Sequence, residues 1–375
     1  MDYDFLIIGG GMAGASLAYE LAASARVCLL EAEPRPGYHS TGRSAALFAP
    51  SYGGREIRAL TRASLGFFLS PPPGFAANPL LRPRDCLYIA RAEQRDSLDA
   101  MVADIRGSGG CVTDLAPQAA RERVPLLRAG YVASAALDTD AMDIDVDALH
   151  QGFLRGARAR GAIIHCSAAL PEGERHSGRW IVPIPDGQVS APVLVNAAGA
   201  WADTVAGRCG VQPLGLQPMR RTAVLVDAPA ATDVANWPAV IDADETFYFK
   251  PEAGKLLLSP ADETPVEACD AQPDELDVAV AIDRVEHALD AEFRRVGHRW
   301  AGLRTFAPDR VPVIGFDAGI EGFFWCAGQG GYGIQSAPAL SRTAAALAQG
   351  RALPHDVVEQ GLDAAAVSPR RFANG

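Results

Sequence analysis

The chain has 375 residues, 49% of them hydrophobic, and a net charge of −11 at pH 7. That length is enough for two or three domains around a large core, and the acidic balance leaves no broad basic field of the kind nucleic-acid binders use. No apolar run approaches the ~20 residues of a membrane-spanning helix, so no integral membrane segment is expected. The N-terminus reads as a strand carrying Asp2 and Asp4 rather than a basic segment followed by an apolar one, so no signal peptide is expected. The seven cysteines are scattered without metal-type spacing, which fits reduced thiols in a cytoplasmic protein and suggests no metal site.

The richest stretch comes first. The apolar run Phe5 to Ile8 enters Gly9-x-Gly11-x-x-Gly14, a helix-compatible segment covers Ala15 to Ala23, and Arg26 to Leu30 reads as a second strand ending in Glu31 and Ala32. An acid ~20 positions past the glycines completes the βαβ pattern of dinucleotide binding. Gly9 allows the tight turn, Gly11 admits a pyrophosphate to the backbone, and Gly14 lets helix and strand pack closely. The helix N-terminus, with Met12 and Ala13, offers N–H groups and a positive dipole end to phosphates. Glu31 is placed to accept from ribose hydroxyls.

Further along, Pro71-Pro-Pro73 and Asn78-Pro79 interrupt regular structure, and Cys86 to Ala90 reads as a strand. Polar Ala92 to Arg106 reads as a helix, Asp114 to Pro125 as a short helix and loop, and Asp143 to Arg160 as an amphipathic helix. Ala162 to His165 is a strand, and Arg179 to Pro183 is half of a hairpin that Pro183 and Pro185 restrict to a sheet edge. Pro192 to Gly199 is a buried strand ending in small residues, and a helix begins near Trp201. Strands are expected at Thr222 to Val226, Thr246 to Lys250 and Lys255 to Ser259, then one long helix from Asp274 to Val296. The chain closes with a strand at Gly322 to Cys326, the glycine-rich Ala327 to Gly333 and a helix from Ser336 to Ala348.

The glycine loop, the Asn196-Ala-Ala-Gly199 strand end and the Gly328-Gln-Gly-Gly-Tyr-Gly333 loop together resemble the D-amino acid oxidase superfamily of flavoproteins. Gly37-Tyr-His-Ser-Thr-Gly-Arg-Ser-Ala-Ala46, Leu216 to Arg221, Glu245 to Pro251 and Trp300 to Phe306 are similar to the bacterial D-arginine dehydrogenase branch. The resemblance implies an α/β fold: a discontinuous Rossmann-like FAD-binding domain (1–80, 140–215 and 301–375) with an inserted α+β substrate domain (81–139 and 216–300) on a mostly antiparallel sheet. It also implies non-covalent FAD and flavin-facing roles for Ser40, Thr41, Arg43, Ser44, Ala45 and Ala46, with Arg43 offering its guanidinium to the flavin edge. Ala198, Gly199, Trp201 and Gly302 are implied cofactor contacts, as are Arg304, Gly330, Gly331, Tyr332, Gly333 and Ile334.

For chemistry, the resemblance implies hydride transfer from a D-amino acid Cα to flavin N5, the imino acid then hydrolysing to a 2-oxo acid and ammonia. Arg221 and Arg304 are the implied carboxylate holders, because a planar guanidinium binds both oxygens. Tyr248 can add a third bond, pointing opposite to Phe247 and Phe249. Tyr52 and Tyr332 can cap the pocket or help remove the amine proton, since no histidine or carboxylate base presents itself. Leu47, Cys86, Tyr332 and Gln335 are expected around the side-chain pocket. Arginine-preferring relatives carry a histidine where Leu47 stands and a glutamate where Cys86 stands, and Asp85 should face away. An unpaired buried guanidinium costs about 3–5 kcal/mol, so apolar or aromatic D-amino acids are expected in preference to D-arginine. A glycine or sarcosine-type amine oxidase and a 2-hydroxy acid dehydrogenase remain alternatives. The electron acceptor, whether quinone, electron-transfer protein or O2, stays open.

Overall fold

The computed structural model of the chain describes residues 1–168, 172–185, 187–229 and 232–372. Its first sheet has six strands in the order Val313–Phe316, Phe323–Ala327, Val193–Asn196, Phe5–Ile8, Val27–Leu30 and Ile163–His165. All neighbours run parallel except the Val313–Phe316 edge, which is antiparallel. The strands Phe5–Ile8, Val27–Leu30 and Phe323–Ala327 are buried end to end, as a parallel sheet covered on both faces requires. The helices Met12–Leu21, Val146–Ala159 and Ala337–Ala348 cover one face, where Ile7, Leu17, Phe153 and Leu340 share one core. The other face carries a core of Leu6, Ile8, Trp180 and Val205, closed by a three-stranded sheet that includes Arg179–Ile184.

The second sheet has ten strands among the described residues. Eight of them run in the order Val296–Phe306, Gln217–Asp227, Lys255–Ser259, Tyr248–Glu252, Ala239–Asp242, Cys86–Ala90, Ser134–Asp138 and Val112–Leu115. Gln329–Gly330 adds to the outer edge and Thr264–Pro265 pairs beside Gln217–Asp227. Every pairing is antiparallel except that of Ala239–Asp242 with Cys86–Ala90. One face packs on the Glu275–Ala288 helix through Val278, Ala281 and Val285 against Val224, Phe247 and Phe249. The fold is therefore α/β, with a Rossmann-like parallel sheet joined to a mostly antiparallel one, as the sequence predicts.

Two expectations change. The helix expected over Asp274 to Val296 stops at Ala288, and Val296 begins a long strand. Leu289 turns extended because it bridges to Leu127, and Asp290 N donates to Leu126 O at 2.7 Å. These long-range bonds override the helical propensity of the segment. Arg179–Ile184 is not an edge strand either: it lies between Glu174–His176 and Gly187–Ala191. Pro183 is tolerated because its pairing is with Gln188 alone, beyond the reach of the other neighbour. The sequence reading also passes over the Arg55–Leu69 helix, whose buried Ile57, Leu60, Ser64 and Phe68 fall at helical spacing.

Candidate functional site

A cavity of about 710 Å³ is lined from both sheets. At one end the Phe5–Ile8 strand delivers Gly9 and Gly11 to it. Gly9 has φ +103°, a conformation that favours glycine. A Cβ on Gly14 would lie 1.9 Å from Gly9 O, so this glycine seats the helix on the turn and does not itself reach the cavity. A Cβ on Gly11 would approach only Thr41 Oγ1, at 3.3 Å, which leaves the turn open toward the cavity. Gly11, the N-cap of the Met12–Leu21 helix, has no side chain to cap it; Thr41 Oγ1 accepts from Met12 N at 2.9 Å and leaves the N–H groups of Ala13 and Gly14 without a side-chain cap. Uncapped N–H groups at a helix start are an anion site.

Glu31 lines the same end, 8% exposed. One of its oxygens accepts from Gly10 N at 2.7 Å and the other from Glu33 N at 2.8 Å. Each oxygen keeps a free lone pair for a ribose hydroxyl, and the backbone bonds fix the carboxylate in place. His150 supports the loop from below, its Nε2 2.8 Å from Gly10 O. Burial holds its pKa below the usual histidine value, so it donates to the carbonyl as a neutral ring.

The residues expected around the flavin all line this cavity: Ser40 to Thr41, Arg43 to Ala46, Ala198, Gly199, Trp201, Gly302 and Gly330 to Ile334, with Met12, Ala13 and Ala32 at the nucleotide end. Arg43 differs from expectation in one respect. Its guanidinium donates to Ala271 O at 2.8 Å and Ala301 O at 3.1 Å and pairs with Asp270, so it braces the second sheet and is not free for a flavin edge. Ser40 likewise gives its hydroxyl to Leu303 O at 2.7 Å. The fit to FAD rests on other features. His39 Nδ1, Thr305 Oγ1 and Gln335 Nε2 are buried without a partner among the described residues, and all three residues line the cavity. Those orphaned polar atoms, the open glycine turn and the only partly capped helix start suit a long polar cofactor with a phosphate-bearing end.

At the far end lie Arg221, Tyr248, Arg304, Tyr52 and Tyr332. Tyr248 reaches the cavity while Phe249 lies in the opposite core, as strand alternation predicts; Phe247, just before the strand, belongs to that core and also lines the cavity, so its opposition to Tyr248 is incomplete. The guanidinium of Arg304 packs under Gly331, where a Cβ would come within 2.7 Å of its Cζ. Burial opposes the Arg304 cation, but the phenols of Tyr52, Tyr248 and Tyr332 around it prevail and raise its pKa. Arg221 is less available: its Nε donates to Asp262 O at 2.7 Å and its Nη2 to Glu263 at 3.2 Å. The paired carboxylate clamp expected from the sequence is thus unequal, with Arg304 the freer partner. Arg220, outside the cavity, pairs with Asp277 at 2.7 Å as a structural cation.

Burial and the neighbouring Tyr52 push the Tyr332 phenol up to about 12, which removes it as a base near neutral pH. Cys86 is a free thiol, 1% exposed and raised in pKa chiefly by burial. It lines the cavity with Leu47, Met101, Ile105 and Ile241, while Asp85 points away to Arg123 at 3.4 Å. Gln335 closes this region, its Oε1 accepting from Ala49 N at 3.1 Å. Three residues were missed by sequence reasoning. Lys250 lines the cavity but is neutralised by Asp143 at 2.7 Å and Glu252 at 3.0 Å. Glu245, at φ +53°, also lines it, and Glu263 meets the arginines. The Glu245 to Pro251 motif carries a signal for the first two. Nothing local marked Glu263, which only the sheet pairing brings to Arg221.

The family model for FAD dependent oxidoreductases of the DAO type matches residues 4–347. Glycine oxidase of Geobacillus kaustophilus is 26% identical over 90% of each chain. Its crystal structure superposes with a TM-score of 0.83 over 97% of this chain and 99% of that one. Human mitochondrial dimethylglycine dehydrogenase is 26% identical over 88% of this chain, which spans only 40% of that protein. The structure of L-proline dehydrogenase from P. horikoshii superposes with a TM-score of 0.81 at 21% identity, over 100% of this chain and 98% of that one.

Proposed function

Because the chain belongs to the DAO family of FAD-dependent oxidoreductases, and so acts with FAD on amine or amino acid donors, we propose that it oxidatively deaminates D-amino acids with apolar side chains. The observation that carries this reading is the arrangement at the far end of the cavity. One largely enclosed guanidinium, Arg304, stands among the phenols of Tyr52 and Tyr248, beside an apolar recess of Leu47, Cys86, Met101, Ile105 and Ile241. The cation takes the substrate carboxylate, and the planar fork with two phenols fixes its orientation. Arg221 adds a second, weaker contact from its remaining donor edge. The recess receives a side chain that glycine and sarcosine do not have. Bound FAD supplies the hydride acceptor.

The protein's own work is positioning and exclusion of water. Tyr332 and Tyr52 meet edge to face, ring centroids 5.1 Å apart, and close the pocket over the clamp. Burial raises both the Tyr332 phenol and the Cys86 thiol, so neither serves as a base near neutral pH.

A second reading, a glycine or secondary-amine oxidase, draws on the likeness to glycine oxidase and dimethylglycine dehydrogenase. Anaerobic mixing of the holoenzyme with D-leucine, D-methionine, D-phenylalanine, D-arginine, glycine, sarcosine and 2-hydroxy acids separates the two. Bleaching of the flavin fastest with the apolar D-amino acids, with one ammonia per turnover, supports the first. Fastest bleaching with glycine or sarcosine selects the second. Fastest bleaching with D-arginine refutes the apolar preference and points to Glu245 as its partner.

A further inference from the structure

The cavity is lined by five permanent cations, and their partners differ. Arg43 is paired with Asp270, Arg58 with Asp104, and Lys250 with Asp143 and Glu252. Arg221 is paired with Glu263 at 3.2 Å. Among the described residues, Arg304 alone of the five has no carboxylate within hydrogen-bonding distance, its nearest being the same Glu263 at 4.0 Å. Glu263 is further anchored from outside by Arg310, whose Nη2 lies 3.0 and 2.9 Å from its two oxygens and whose guanidinium stacks on Phe306 at 3.8 Å. One carboxylate therefore sits at the meeting point of three guanidiniums.

We infer that Glu263 is a specificity-determining residue that keeps Arg221 and Arg310 occupied, so that the site accepts substrates with one carboxylate and rejects those with two. The inference rests on the proposed reading of Arg304 as the substrate-carboxylate site. A bound monocarboxylate meets Arg304 as its one unpaired cation. A second carboxylate that reaches Arg221 in the cavity wall finds that guanidinium already neutralised by Glu263, which Arg310 holds from behind the lining, and a cation already paired offers little to a second anion. The geometry needed is local: Asp262 fixes the segment by accepting from Thr222 N at 2.7 Å and Thr222 Oγ1 at 3.0 Å, and Thr264 pairs with Arg220.

The test uses unreactive probes, acetate and malonate, titrated into flavin-loaded protein while the flavin absorbance is followed. In Glu263→Gln the ratio of malonate to acetate affinity rises about tenfold or more, equivalent to about 1.4 kcal/mol. In Arg310→Gln the free Glu263 turns toward Arg221 and Arg304, so acetate binds more weakly while flavin content and melting temperature stay at the parent level, which loss of structural support alone does not produce. An unchanged ratio in Glu263→Gln, with acetate still bound, overturns the inference and leaves the Arg304 reading intact. Absence of any carboxylate response in the parent protein overturns both. Should Glu263→Gln not load flavin, Glu263→Asp withdraws the carboxylate by one methylene, and a parent-like ratio there is equally fatal.

Discussion

The inequality of the two arginines yields the sharpest prediction. In Arg304→Ala the substrate carboxylate loses its one unpaired cation in an enclosed pocket. Truncating one partner of a buried charged hydrogen-bonded pair costs about 2–5 kcal/mol, which at 1.4 kcal/mol per decade is roughly 30-fold to several thousand-fold in affinity. Arg221 already gives its Nε to Asp262 O and one Nη2 contact to Glu263, so substrate draws on only part of it. Loss of about one net hydrogen bond, some 0.5–1.5 kcal/mol, weakens binding in Arg221→Ala by roughly 2- to 13-fold. Anaerobic stopped-flow reduction of the flavin separates the dissociation constant from the limiting rate, and flavin content shows whether each variant is intact. The reasoning fails if flavin-loaded Arg221→Ala is impaired as much as Arg304→Ala, or if Arg304→Ala loses less than about tenfold.

Other consequences follow from single contacts. Gly14→Ala drives a Cβ to 1.9 Å from the Gly9 carbonyl, a backbone atom that cannot yield; overpacking of this kind costs about 1–3 kcal/mol or more, so the melting temperature falls and FAD binds more weakly, whereas a parent-like FAD affinity contradicts the packing role. Tyr332 stays protonated to about 12, so Tyr332→Phe leaves the rising limb of the kcat/KM–pH profile where the parent has it, and a displaced limb would reveal a phenol base. Asp138 is buried, accepting from Ser51 Oγ at 2.7 Å and Asp140 N at 2.9 Å, and burial raises its pKa above the ordinary value of 3.8. The folded state then holds that proton to higher pH than the unfolded chain, so stability from this group is present below 3.8 and is lost as pH rises through the raised value. Asp138→Asn removes that loss, and thermal melts between pH 4 and 7 should fall less steeply with pH than the parent's; an identical slope would refute the assignment.

What could be read from the sequence was what short stretches determine by themselves. The turn at Gly9 to Gly14 has its chemistry and its geometry within a few residues, and strand alternation sufficed to aim Tyr248 at the cavity and Asp85 away from it. What escaped depended on partners distant in sequence. Residues 289–295 are polar and helix-compatible, but Leu127 draws Leu289 into an extended bridge. Arg43 has the right spacing to face a cofactor, yet carbonyls 228 and 258 positions away claim its donors. Glu263 has no motif at all, and its meaning arises because the Gln217–Asp227 and Val296–Phe306 strands pair Arg221 with Gly302 and so bring Arg304 alongside. The Arg55–Leu69 helix, by contrast, carries a readable period in Ile57, Leu60, Ser64 and Phe68.

The central claim is that FAD occupies the cavity with the substrate carboxylate held at Arg304. A crystal structure of the holoenzyme with an unreactive carboxylate such as acetate measures this directly. The account predicts the nucleotide phosphates at the start of the Met12–Leu21 helix, the flavin ring between residues 43–46 and 330–334, and the carboxylate on the Arg304 guanidinium within reach of the Tyr52 and Tyr248 hydroxyls. A flavin ring elsewhere, or a carboxylate that ignores Arg304, would contradict it.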